Sequence, residues 1–126
     1  MNENEIAKFV VNAAYQVHKE LGPGLLESVY ENCLLYELQE IGLEVKQQHI
    51  LPVIYKDVKM EMGFRLDLLV EDKLVVEVKA VKELEDIHMA QIISYLKLSN
   101  NKLGLLINFH VPLIKNGIKR VINGKL

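Results

Sequence analysis

Gly63-Phe64-Arg65-Leu66-Asp67-Leu68-Leu69-Val70-Glu71-Asp72-Lys73-Leu74-Val75-Val76-Glu77-Val78-Lys79-Ala80 is the stretch that decides the fold. Two apolar runs flank Glu71-Asp72-Lys73, which reads as a solvated turn, so the stretch predicts antiparallel strands over about 60–70 and 74–80. A strand's period of two puts Glu77 and Lys79 on one face, opposite Val76 and Val78. Asp67 shares its face with Arg65 and Gly63, opposite Phe64, Leu66 and Leu68, and the pairing brings it within a few residues' reach of Glu77. Glu-x-Lys also occurs at Glu44-Val45-Lys46 and Glu71-Asp72-Lys73, but only Glu77-Val78-Lys79 places charge inside an apolar run. Burying even an uncharged polar group without a partner costs about 2 to 7 kcal/mol, so these residues need one. Two partners fit: a divalent cation, or one another, as an ion-paired network of Asp67 or Glu77 with Lys79 or Arg65.

Outward from the hairpin the period changes. Ile6, Val10, Ala13, Val17 and Leu21 recur at helical spacing and predict an amphipathic helix over about 4–21, stopped by Gly22-Pro23-Gly24. Leu26, Tyr30, Leu34, Leu38 and Ile41 mark a second helix, ended by Gly42. A strand over about 44–56 contains Pro52, which requires an edge position or a bulge. Ile87, Ala90, Ile93 and Leu96 restore helical spacing over about 86–99, with Met89, Ile92, Ile93 and Leu96 toward the core and His88, Gln91 and Tyr95 on a polar face. Leu103 to Phe109 reads as a buried strand, and Ile118 to Ile122 as an edge strand after a turn at Asn116-Gly117. The order is α-α-β-β-β-α-β-β, an α/β fold with a mixed sheet and helices packed on it.

The chain has 126 residues, half of them hydrophobic, and no repeat, which fits one domain over 1–126. The single Cys33 sits beside Tyr30, Leu34 and Leu35 and reads as a packed thiol in a reducing compartment. No basic, apolar leader opens the chain and no apolar run approaches about 18 residues, so the expectation is a soluble cytoplasmic protein without membrane contact. Scattered His18, His49, His88 and His110 and the lack of further cysteines argue against structural zinc. Net charge is −2, but residues 1–86 hold all 17 acidic and 9 basic residues, −8, while residues 87–126 hold 6 basic residues and no acidic one, +6. Such asymmetry suits either a phosphate-facing basic surface beside an acidic patch or an uneven solvated surface.

Gly24-x-x-Glu27-x-x-Tyr30, then Asp67, then Glu77-x-Lys79, then Gln91-x-x-x-Tyr95 together resemble the GxxExxY family of the PD-(D/E)XK nuclease superfamily. His88-Met89-Ala90-Gln91, Ser94-Tyr95-Leu96-Lys97 and Gly104 to Phe109 extend the likeness over nearly the whole chain. The resemblance implies a restriction-endonuclease-like core, a mixed sheet flanked by helices. It implies a nuclease that hydrolyses phosphodiester bonds of DNA with Mg²⁺ or Mn²⁺ and no small-molecule cofactor. Asp67 and Glu77, with the Val78 carbonyl, would be the metal ligands, Lys79 the catalytic amine, and Glu27 the helix carboxylate that completes the shell or accepts a proton. Gln91 and Tyr95 match the Gln-x-x-x-Tyr motif of RecB-like nucleases and would fix the scissile phosphate. Leu66 stands where many members have proline. The alternative is a non-catalytic module of the same fold that binds nucleic acid or protein. A chain this small with one site would cut two strands as a homodimer.

Overall fold

A computed structural model describes the backbone of residues 1–126 and the side chains of all but Glu61 and Met62. Helix α1 runs Glu3–Leu21 and α2 Glu27–Glu40; strands β1, Val45–Tyr55, β2, Val58–Val70, and β3, Leu74–Lys79, follow. Helix α3, Asp86–Ser99, leads to β4, Leu103–Asn108, and a 3₁₀ turn, Ile114–Gly117, precedes β5, Ile118–Ile122. The element order is the expected one.

The five strands lie in the order β1-β2-β3-β4-β5. Neighbours pair antiparallel except β3 and β4, which are parallel from Leu74↔Leu103 to Lys79↔Asn108. A parallel pair needs a long crossover, and α3 is that crossover. Pro52 is accommodated as expected: β1 is an edge strand and its register shifts between Leu51 and Val53. The β2–β3 turn is tight. Glu71 and Asp72 both have φ 54° and the Lys73 N–H donates to the Val70 carbonyl at 3.0 Å, a geometry that suits the strands' twist.

Alternation along the strands divides the core between two faces. Leu68, Val70, Leu74, Val76, Val78, Leu103, Leu105 and Ile107 pack under α1 and α2. Leu69, Val75, Leu106 and Val121 pack under Ile92 and Leu96 of α3. Gly104 lets α3 approach, since a Cβ there would lie 2.9 Å from Ile92 Cδ1.

Six positions of the expected apolar stripes are exposed, three at the margins of α1 and α2 and three along α3. Leu26 and Ile41 are exposed because they lie just outside α2, where the helical stripe ends. Leu21, the last residue of α1, is half out of the core. Ile93 is exposed, as are Ile87 and Ala90: the face that α3 turns to the sheet carries Met89, Ile92, Leu96 and part of Tyr95.

The segment Gly22-Pro23-Gly24 owes its shape to Tyr30. Gly22 and Gly24 adopt φ 69° and 102°, which glycine alone takes without strain. The Tyr30 hydroxyl donates to the Gly22 carbonyl at 2.6 Å and accepts the Leu25 N–H at 3.1 Å. Its ring is buried and stacks on Phe109 with centroids 4.6 Å apart. Leu26 at the N-cap of α2 has no side-chain acceptor to offer, so the entry to this helix is held from its second turn.

Candidate functional site

Strand β2 pairs with β3 only from Leu68↔Val76 to Val70↔Leu74, then leaves it to continue as a two-stranded ribbon with β1. Where the strands part, backbone N–H groups lose their ladder partners and need other acceptors. Asp67 and Glu77, the next opposed residues, supply them. The Asp67 N–H donates to Glu77 Oε2 at 2.8 Å, and the Val78 N–H donates to Asp67 Oδ2 at 2.8 Å. The two carboxylates are clasped across the fork between the strands.

Burial sets their electrostatics. Glu77 is 4 % exposed. Its carboxyl is pushed up to about 8, first by burial and next by the charge of Asp67, against the hydrogen bond from Asp67 and the attraction of Lys79. Asp67 also shifts upward, mainly through burial, with the Val78 N–H opposing. Lys79 stands close enough to act on both, yet the one ion pair among the described residues is Lys46–Asp72 at the surface. A pair of carboxylates this poorly compensated holds a proton or attracts a cation.

The surroundings fix the end of β3. The Phe109 N–H donates to the Lys79 carbonyl at 2.9 Å. Buried Asn108, opposite Lys79 in the register, accepts the Val81 N–H at 3.0 Å and donates to the Val81 carbonyl at 2.9 Å. The backbone on either side of Lys79 is thereby pinned. Tyr95 reaches in from α3, tilted against Phe64 with centroids 5.0 Å apart. Its hydroxyl is shifted upward by burial and then by the charges of Glu77 and Asp67, which puts it in their neighbourhood. Gln91, one turn earlier, is exposed. Glu27, in the first turn of α2, accepts the Ala80 N–H at 3.3 Å, just past Lys79, beside a shallow cleft of about 380 Å³ lined by Leu25, Leu26 and Ser28. His88 caps α3, its Nδ1 accepting the Glu85 N–H at 2.9 Å.

Two residues that the sequence reading passed over join the pair. Glu31, one helical turn after Glu27, is 8 % exposed, and its charge acts on both Asp67 and Glu77. It accepts Gln48 Nε2 at 2.9 and 3.0 Å and Gln47 Nε2 at 2.8 Å. Gln48 Nε2 also donates to Asp67 Oδ1 at 3.3 Å, so one amide spans both carboxylates. Gln48 faces Asp67 between the pairs Gln47↔Leu68 and His49↔Leu66, unpaired itself, with φ 50°. A non-glycine residue held there costs on the order of 1–3 kcal/mol. The available signal was Glu27 and Glu31 sharing a face of α2 four residues apart.

The donor set suits a hard cation. Carboxylate oxygens match Mg²⁺ or Mn²⁺, which are commonly held by one or two carboxylates with water and substrate phosphate filling the rest. Among the described residues no three His, Cys, Asp or Glu side chains gather into a complete metal cluster, so the fit is that of a two-carboxylate site. No helix of the described residues is long and apolar enough to cross a membrane.

No curated protein and no solved structure matches the chain. A family model described as the PD-(D/E)XK nuclease superfamily matches residues 4–121, which takes in both helices ahead of the sheet, the whole fork and nearly all of β5. A match over nearly the whole length shows the family, and the chain belongs to the PD-(D/E)XK nuclease superfamily.

Proposed function

We propose that this chain, as a single domain over 1–126, is a Mg²⁺- or Mn²⁺-dependent nuclease of the GxxExxY group that hydrolyses phosphodiester bonds of DNA. The observation that carries the reading is the reciprocal clasp of Asp67 and Glu77 at the strand fork, with Lys79 beside it.

Asp67 and Glu77 would hold the cation, with the Val78 carbonyl as a further oxygen. A divalent cation, when bound, supplies Lewis-acid charge stabilisation and an acidified water. Lys79, fixed by the bonds around its backbone, neutralises a non-bridging phosphate oxygen as charge grows there. Glu27, at the Ala80 N–H and open to solvent, takes the proton given up by the attacking water. Tyr95 donates its hydroxyl to the scissile phosphate, and Gln91 steadies the flanking backbone from the same helix face. The basic residues after Asp86 meet the nucleic-acid backbone. Cutting both strands of a duplex calls for two copies of the chain.

The test is cleavage of linear, single-stranded and branched DNA in Mg²⁺ or Mn²⁺. Equal cleavage by wild type and an Asp67→Asn/Glu77→Gln double variant rejects the assignment. One observation favours a second reading, a non-catalytic binding module: no buried side-chain nitrogen or oxygen among the described residues lacks a hydrogen-bond partner, so none is left for a cation to satisfy. Salt-dependent DNA binding with no cleavage in either metal would select it.

A further inference from the structure

We infer that Gln48 is a positioning residue that latches the cation-free site, its side-chain amide bridging Glu31 and Asp67 and occupying an Asp67 oxygen that a divalent cation would take. This rests on the reading of Asp67 and Glu77 as the cation-holding pair. A carboxamide NH₂ has two protons, and Gln48 directs them at three carboxylate oxygens, Glu31 Oε1 and Oε2 at 2.9 and 3.0 Å and Asp67 Oδ1 at 3.3 Å. The two carboxylates belong to different elements, α2 and β2, with no cationic side chain in ion-pair contact with either among the described residues. A neutral donor therefore does the work of a counter-ion.

The backbone singles out the same residue. Gln48 is the one position between Val45 and Leu51 where the β1–β2 ladder skips a pair, and it is the residue of that stretch with positive φ. A regular strand would leave the ladder intact at this position. The excursion carries the amide toward α2, and Gln47 supports the arrangement by donating to Glu31 Oε2 and Asn32 Oδ1, both at 2.8 Å. Donor protons and a dication compete for the same lone pairs. Entry of the cation therefore turns the Gln48 nitrogen away, and the bonds that hold Asp67 in place before binding are partly given up on binding.

Gln48→Asn is the informative change. Asparagine tolerates positive φ, which protects the fold, but its side chain is one methylene shorter and no longer spans the two carboxylates. Thermal unfolding of the full chain in EDTA and in Mn²⁺, and Mn²⁺ titration by calorimetry, are compared for wild type, Gln48→Asn and Asp67→Asn. The expected result is a lower melting temperature for Gln48→Asn in EDTA, a larger upward shift with Mn²⁺, and Mn²⁺ binding tighter by about threefold to tenfold, the factor for one displaced charge-assisted hydrogen bond. Unchanged or weaker Mn²⁺ binding by Gln48→Asn, with binding by wild type lost in Asp67→Asn, overturns the latch and leaves the cation site standing. No Mn²⁺ binding by wild type, or equal binding by Asp67→Asn, overturns both. Should Gln48→Asn fail to fold, the wild-type side-chain amide signals decide: Mg²⁺ must shift the Gln48 NH₂ pair together with the Val78 N–H, and a Val78 shift with Gln48 unmoved rejects the latch.

Discussion

Glu77→Gln should stabilise the cation-free protein, and the gain should grow with pH. In the unfolded chain the Glu77 carboxyl has its ordinary value of 4.5; folding raises it to about 8, chiefly by burial. The protonated form is thus the one that folding favours. Below about pH 4.5 both states carry the proton and the group is neutral to stability. Between 4.5 and 8 the unfolded chain releases a proton that the folded one keeps, so stability falls as pH rises and levels off above 8. At about 1.4 kcal/mol per pKa unit, the full interval is worth about 5 kcal/mol. Glutamine has the same shape and no charge, and its carbonyl still accepts the Asp67 N–H, so it removes this loss. A neutral amide is a weaker acceptor than a carboxylate and gives back about 1–2 kcal/mol. A net gain of about 3 kcal/mol at pH 8 is expected, a rise of roughly 10 °C in melting temperature for a domain of this size, shrinking toward zero by pH 5. Thermal or urea unfolding in EDTA at pH 5, 6.5 and 8 measures it. Added Mn²⁺ should raise wild type at pH 8 and leave Glu77→Gln unmoved, because the cation takes the place of the missing proton in one and lacks its carboxylate in the other. A variant no more stable than wild type at pH 8, or a gain that does not change with pH, would refute the burial argument for Glu77.

Three further outcomes follow from other parts of the structure. Tyr30→Phe keeps the stack on Phe109 but leaves the Gly22 carbonyl and Leu25 N–H without the hydroxyl, and unfolding should show a loss of about 1–3 kcal/mol. Gly104→Ala brings a Cβ to within 2.9 Å of Ile92 Cδ1; pushing α3 off β4 should cost about 1–3 kcal/mol in a melt, and adding Ile92→Val should recover part of it. Lys79→Met keeps the packed stem and removes the amine, so DNA cleavage in Mg²⁺ should fall by about 10² or more while Mn²⁺ affinity, read by calorimetry, changes little.

The hairpin was legible because its two signals coincide: alternation set Val76 and Val78 opposite Glu77, and the charged Glu71-Asp72-Lys73 located the reversal. The same logic brings Asp67 and Glu77 together, since opposed residues of an antiparallel pair share a face. What could not be read were facts of tertiary placement. Glu27 and Glu31 are one helical turn apart, and which of them faces the strand fork depends on how α2 rotates against the sheet, a choice made by Tyr30, Leu34 and Leu38 in the core. Gln48 was invisible for another reason: a period-two reading assumes regular backbone, and its positive φ breaks that assumption locally. Helix α3 shows a third limit. Ile87, Ile92 and Ile93 are equally apolar, and it is Ile92 that packs on the sheet, against Gly104 and on one face with Met89 and Leu96.

The fork also explains why the acidic pair is hard to test by deletion. A strand that abandons its neighbour leaves N–H groups that must be satisfied, and here the side chains assigned to the cation are the acceptors. Asp67→Ala would take away the charge and strand the Val78 N–H at the same time, so lost activity could reflect a loosened β3 as readily as a missing ligand. Asp67→Asn separates the two, because its carbonyl oxygen still accepts the Val78 N–H while the cation faces a neutral group. If the carboxylates serve the cation, Asn at 67 gives up only the long bond from Gln48, melts above Ala at 67 in EDTA and fails to bind Mn²⁺, whereas Ala at 67 loses the Val78 bond as well. If both variants lose stability equally and both still bind Mn²⁺, the acidic pair is scaffolding for the strand fork, and the chemistry assigned to it falls.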